Sequence, residues 1–200
     1  MDKLASFVKS KEGLAMQNEL GDIYVVELTN KNVDDHDLSI FKQPCANEIT
    51  YLSLNGTQVT DEGISKLASL HRLDDLDLGY TNISGNGFAK LEFESLKKLS
   101  LRGCEKLTII GFKEIIKCRN LEKLNLIESN IDDLFLSEIA KLPKLKTLWA
   151  DCTKITNDGL PFLNGMTQLI SFSSRETAVT REGMLQLLQH LPDLNQEFIM

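Results

Sequence analysis

Several things are scarce in this chain of 200 residues, and each scarcity removes a class of function. No apolar run approaches the ~20 residues that a helix needs to cross a bilayer, so no membrane contact is expected. The opening MDKLASFVKSKEGLA has no apolar core of the signal-peptide kind, and secretion by the Sec route is not expected. Basic residues are outnumbered, 22 Lys and Arg against 29 Asp and Glu, for a formal charge of −7. Non-specific nucleic-acid binding rests on clustered Lys and Arg, so nucleic acid is not expected as a partner. The four cysteines, Cys45, Cys104, Cys118 and Cys152, form no C-x-x-C pair, and their spacing points to reduced thiols in a cytoplasmic compartment. The glycines form no G-x-x-x-x-G-K-[ST] loop that could cradle a phosphate. Catalytic groups have no positive sign, so the chain is read as not an enzyme, with no cofactor and no metal.

What is present is repetition. Leu73 to Ile83 reads LDDLDLGYTNI, with apolar or small residues at positions 1, 4, 6, 9 and 11. LKKLSLRGCEKL from Leu96 and LEKLNLIESNI from Leu121 repeat that pattern. Its form, L-x-x-L-x-L-x-x-N/C-x-L, resembles leucine-rich repeats. Units begin at Ile23, Ile49, Leu73, Leu96, Leu121, Leu145 and Leu169, 23 to 26 residues apart. In each, positions 3 to 7 alternate outward and inward and predict one short strand. Stacked units then form a parallel sheet on a concave face.

Position 9 carries Lys31, Thr57, Thr81, Cys104, Ser129, Thr153 and Thr177. Small hydroxyl or thiol groups fit there, where the chain turns inward and can bond the backbone. Cys104 stands in register with threonines, so it is read as structural. The second half of a unit reads VTDEGI from Val59, ITNDGL from Ile155 and VTREGM from Val179. Thr60, Ser84, Thr108, Thr156 and Thr180 suit helix N-caps, and acids in the first turn suit the dipole. Glycine three residues after each cap, at Gly63, Gly87, Gly111, Gly159 and Gly183, implies close backbone packing. The fold class is therefore α/β, a leucine-rich repeat solenoid forming a horseshoe segment, with a parallel concave sheet and convex helices.

Residues 1–22 do not match the repeat. Their patchy helical spacing, broken by Gly13, predicts an N-terminal helical cap over the apolar end of the stack, or else an amphipathic helix for a partner. About seven repeats fill 23–193. Pro192 ends a last helix over Arg181 to His190. Residues 194–200, beginning an eighth unit that fails at Glu197, predict an incomplete C-terminal repeat or cap, with docking of Phe198, Ile199 and Met200 on another chain as the alternative.

The unit from Leu96 to Asn120, LKKLSLRGCEKLTIIGFKEIIKCRN, resembles the cysteine-containing subtype of leucine-rich repeats seen in F-box proteins, including Cys118 at the end of its helix. The other units carry Thr or Ser for the first cysteine and are mostly shorter, a variant similar to repeats of bacterial proteins, including effectors of intracellular bacteria. About 22 leading residues cannot hold an F-box, so an adaptor role in a ubiquitin ligase is not expected, nor is a ligase domain.

Asp34, Asp35, His36 and Asp37 invite a metal reading, but VDDHDL occupies the slot of VTDEGI, which makes these acids of a helix's first turn. The fold constrains the outward strand positions least, and the candidate partner-binding residues lie there. They are Tyr51, Asp75, Asp77, Tyr80, Lys98, Arg102, Lys123, Trp149, Asp151 and Arg175. Asp75 and Asp77 should neighbour Lys98 and Arg102, either as a solvated charge ladder of little worth per pair or as a recognition surface flanked by aromatics. Trp149, the only tryptophan, is placed outward on a central strand, and exposed aromatics are enriched at hot spots. The expected function is a monomeric, non-catalytic module that binds a protein through its concave face. The alternatives are a secreted bacterial effector that sequesters a protein in the host cytoplasm, and an enzyme inhibitor or accessory subunit.

Overall fold

The apolar residue at position 4 of each unit decides where the strands lie. Val26, Leu52, Leu76, Leu99, Leu124, Leu148 and Phe172 are all buried and stand beside one another in register. Burying each such side chain contributes about 1.5–3 kcal/mol, so the column defines one register and opposes a slip.

A computed structural model describes residues 3–195. Among them, β1 (Leu14–Gln17), β2 (Ile23–Glu27), β3 (Tyr51–Ser53), β4 (Asp75–Asp77), β5 (Lys98–Ser100), β6 (Lys123–Asn125), β7 (Thr147–Trp149) and β8 (Ser171–Ser173) form one sheet in chain order. β2 to β8 are parallel. β1 is antiparallel to β2, which differs from an all-helical N-terminal segment. The helix α1 (Lys3–Ser10) buries Leu4 and Val8, and Phe7 meets Phe41 edge-on at 6.4 Å. The chain then turns through Glu12, φ +56°, and Gly13 N–H donates to Val8 O at 2.9 Å. That turn sends Leu14–Gln17 back along β2. Residues 196–200, including Phe198, Ile199 and Met200, lie outside the described residues.

The other side of the sheet carries α2 (Asp61–Ile64), α3 (Ile109–Ile115), α4 (Asp133–Ile139) and α5 (Arg181–His190). Elsewhere the expected helices are 3-10 turns, at Asp37–Lys42, Pro44–Ala46, Ser65–Leu67, Asn86–Lys90 and Asn157–Leu163. Pro161 lies within the last of these and lacks the N–H an α-helix would need. None of the helices among the described residues is long and apolar enough to cross a membrane.

Thr60, Thr108, Thr156 and Thr180 each accept a hydrogen bond from a first-turn N–H. The acids at this position do more than suit the dipole: they reach into the next unit. Asp34 and Asp35 precede the 3-10 turn that begins at Asp37 rather than lying in a helix's first turn. Asp35 accepts from Thr60 N and Oγ1, at 2.7 and 2.6 Å, and from Gly63 N at 3.0 Å. Asp61 accepts from Ser84 N and Oγ, Gly85 N and Gly87 N. Asp133 holds Thr156 in the same way, and Asn157 holds Thr180. This series of inter-unit staples engages Asp35, and Asp37 pairs with Lys11 at 2.6 Å. Asp34 accepts from His36 N at 2.9 Å and Asp37 N at 3.2 Å, so all three acids of the VDDHDL segment have structural partners.

At position 9, the hydroxyls of Thr57, Thr81, Ser129, Thr153 and Thr177 each donate to the carbonyl three residues back. Cys104 differs: its thiol donates to Leu78 O of the preceding unit, at 3.2 Å. Position 8 is left-handed in every unit, at Asn30, Gly56, Tyr80, Gly103, Glu128, Cys152 and Glu176. Each unit thus leaves its strand through the same sharp turn.

Candidate functional site

The register places the outward strand residues in two rows. Val25, Tyr51, Asp75, Lys98, Lys123, Thr147 and Ser171 form one, and Glu27, Ser53, Asp77, Ser100, Asn125, Trp149 and Ser173 the other. Outward does not always mean exposed. Ser53 and Ser173 are fully buried, Thr147 is nearly so, and Asp151 is 6% exposed.

The face divides into small polar groups of fixed geometry. At the β2–β3 end, Tyr51 Oη donates to Glu27 Oε2 at 3.0 Å, Glu27 also accepts from Thr29, and Thr29 Oγ1 lies 2.7 Å from Ser53 Oγ. Burial, then the bond to Glu27, pushes the Tyr51 phenol up to about 12. Burial alone would raise the Glu27 carboxyl, but the hydroxyls of Thr29, Tyr51 and Ser53 outweigh it and hold the acid below its usual range. Next, Lys98 Nζ pairs with Asp75 at 3.1 Å, as the neighbouring register implies.

Arg102 does not join Asp77. Asp77 accepts from Asn55 Nδ2 at 3.1 Å and from Gly79 N at 2.9 Å. Arg102 Nη2 instead donates to Glu128 at 2.6 Å, and Tyr80 Oη donates to the other oxygen of Glu128, also at 2.6 Å. The Arg102 guanidinium lies 5.7 Å from the centre of the Tyr80 ring. These two hydrogen bonds, the one from Tyr80 foremost, hold the Glu128 carboxyl below its usual range. Tyr80 reaches Glu128, two units away, across Gly103, where a Cβ would run into its ring. Tyr80 itself is 48% exposed and lies past β4, on the left-handed turn.

At the far end, Asp151 accepts from Ser173 Oγ, from Arg175 N at 2.8 Å and from Arg175 Nη2 at 3.1 Å. It is a buried anchor for Arg175 rather than an open contact. Trp149 stands half-buried on β7, opposite Asn125 and Ser173. It is therefore off centre, one strand from the last in the sheet, and not on a central strand as expected; it belongs to the sixth of the seven units. Lys123 is exposed between Lys98 and Thr147.

Three features of the face have little sequence signal. Glu128 falls at a turn position outside the strand. Leu14 and Met16, on the antiparallel β1, share the face of Glu27 and Val25 and are 49% and 47% exposed. They extend the face with an apolar edge beyond the first repeat, and only the alternation Leu14-x-Met16 could have hinted at it.

The carboxylates of this face are engaged by hydrogen bonds or ion pairs. Cys104 and Cys118 are buried, and burial pushes the Cys118 thiol up to about 12. No group of three or more His, Cys, Asp or Glu among the described residues is placed to hold a metal ion. A recess of about 720 Å³ lies off this face beside Leu91, Phe93, Lys117 and Arg119. What the face offers is a broad surface of fixed polar groups with two aromatic sites.

A leucine-rich repeat family model matches residues 48–68. No curated protein matches the chain. Among solved structures, internalin C2 from Listeria monocytogenes is similar, 21% identical over 96% of this chain and 89% of that one, with a TM-score of 0.62. TLR13, in a complex with ssRNA13, is 17% identical over 74% of this chain and 24% of its own, with a TM-score of 0.51. At such identities the likeness is one of fold. The chain folds as a leucine-rich repeat solenoid.

Proposed function

We propose that this chain is a non-catalytic interaction module that binds a protein partner through the strand face of β1 to β8. The observation that carries this reading is Trp149. Its register equivalents are Glu27, Ser53, Asp77, Ser100, Asn125 and Ser173, so the repeat has no need of a large aromatic there. A half-buried indole among small polar neighbours is a typical binding anchor. The Tyr80–Arg102–Glu128 group gives the same face a second aromatic site, with its charge held in place. Two buried thiols and the absence of disulfides among the described residues support a reducing, cytoplasmic setting. The unit Leu96–Asn120, with Cys104 and Cys118 both in the core, is where we place the kinship with the cysteine-containing repeat subtype.

The test is capture from lysate by the wild-type chain beside Trp149→Ala/Arg102→Glu, with circular dichroism as a check on folding. A partner retained by wild type and lost by the folded variant is the expected result. Equal retention by both would sink the assignment of this face.

A further inference from the structure

On the strand face, each carboxylate has a partner among the described residues. Glu27 is held by Tyr51 and Thr29, Asp75 by Lys98, Asp77 by Asn55 and Gly79, and Asp151 by Ser173 and Arg175. Glu128, at its margin, is held by Tyr80 and Arg102. The cations Lys98, Arg102 and Arg175 each face a carboxylate, while Glu27 and Asp77 are held by uncharged groups and keep their charge. Lys123 is left over. It is exposed on β6 and makes no ion pair or side-chain hydrogen bond among the described residues.

Its neighbours sharpen the point. Directly opposite Lys123 stand Lys98 on β5 and Thr147 on β7. Adjacent strands are about 4.8 Å apart, and like charges directly opposite one another destabilise a sheet. A carboxylate at Thr147 would cancel that repulsion, and a chain with 29 acidic residues has no shortage of them. Trp149 lies two residues beyond Thr147 on β7, the diagonal neighbour of Lys123, about 7–8 Å away. Asn125, two residues along β6 from Lys123 and directly opposite Trp149, accepts at Oδ1 from Ile127 N at 3.1 Å, leaving its Nδ2 as a donor.

We propose that this face recognises an extended acidic segment of a protein, its carboxylate seated on Lys123 beside Lys98 and an adjacent apolar side chain laid on Trp149. The inference rests on the strand-face reading above and names the chemistry of its partner. Desolvation by the bound segment would strengthen the pairing, and because the complementarity is local to Lys123 in a chain of net charge −7, it sets specificity rather than association rate.

The probe is a displayed random peptide library selected against the full chain. Recovered peptides should carry Asp or Glu within a residue or two of an aliphatic or aromatic side chain, and should release as salt screens the pair. Lys123→Glu should weaken them by about tenfold or more, and replacing the peptide acid by Lys should restore binding to that variant. The Lys123 side chain has no hydrogen-bond or ion-pair partner among the described residues, so the variant should keep its structure. Peptides lacking an acid, peptides indifferent to Lys123→Glu, or a library from which nothing is recovered would overturn acidic recognition. If Trp149→Ala abolishes binding while Lys123→Glu does not, the acidic-segment proposal fails and the strand-face reading stands. If neither variant matters, both fall.

Discussion

Tyr51 shows how one side chain can tie the face to the stability of the fold. Its ring is half-buried between β2 and β4, and its hydroxyl donates to Glu27. Ionising the phenol would place an anion beside that carboxylate, with Asp77 also near. The folded-state value of about 12 therefore stands above the unfolded value of about 10. A group raised in this way contributes stability that is full below pH of about 10 and is lost as pH rises from there through about 12. The chain has three tyrosines, so phenolate absorbance can be followed with few overlapping signals. Tyr51→Phe should remove the latest-titrating phenolate and flatten the alkaline loss of stability in that window. A late phenolate signal that persists in Tyr51→Phe would show that the burial of Tyr51 does not have this effect.

Between neighbouring units, the staples are stronger elements than the short helices they cap. Asp61 accepts four hydrogen bonds from the unit after it, three of them from backbone N–H groups that have no other partner among the described residues. Asp61→Ala leaves those donors unmatched and should cost about 2–3 kcal/mol in chemical denaturation. Gly111→Ala acts at a similar junction by a different route: the new methyl would lie 2.8 Å from Ser84 C and 2.9 Å from Asn86 N. Backbone cannot rotate aside, so a loss of about 1–3 kcal/mol is expected, whereas Gly165→Ala, with open space around it, should stay within about 0.5 kcal/mol. Equal effects at the two glycines would show that packing between units is loose. The strands were legible in the sequence because each repeats a local pattern of alternate leucines, and the outward rows followed from that register. The staples were not, since Asp61 and Ser84 are 23 residues apart and an acid in a first turn looks the same whether or not it reaches onward. Left-handed turns are announced by Asn30, Gly56 and Gly103 but not by Tyr80, Glu128, Cys152 or Glu176, and so the partner of Arg102 stayed hidden.

Over the whole array, the joint between the units beginning at Leu96 and Leu121 is the thinnest. Two units lack a side-chain staple, since Gly85 and Ile109 stand where the others have Asp or Asn. Thr108 N still donates to Ser84 O at 3.1 Å, whereas Asp132, the cap of α4, receives no hydrogen bond from the preceding unit among the described residues. The backbone bond linking the two turns, Asn130 N to Cys104 O, is 3.5 Å, against 2.9 to 3.3 Å for the corresponding donors Gln58, Asn82, Lys154 and Ala178. A groove of about 340 Å³ opens at the same place, lined by Leu107, Ile109, Ile131 and Leu134. On the helical side, Phe112 of α3 packs on Phe135 of α4, with ring centres 5.2 Å apart. In a solenoid, stability is a sum of units and nearest-neighbour interfaces, and cooperativity fails first where an interface is weak. Phe135→Leu removes about 1 kcal/mol of ring contact at that joint. Phe88→Leu removes a comparable ring pair, with Phe93 at 6.0 Å, but inside a single unit. Trp149 lies beyond the joint and reports the smaller, C-terminal block, while circular dichroism reports the whole chain. Wild type should unfold in urea with the two signals coincident. In Phe88→Leu both should move together, and in Phe135→Leu the Trp149 transition should fall at lower urea than the circular dichroism transition. Coincident signals in Phe135→Leu would mean that the array unfolds as one body and that the joint is as firm as its neighbours.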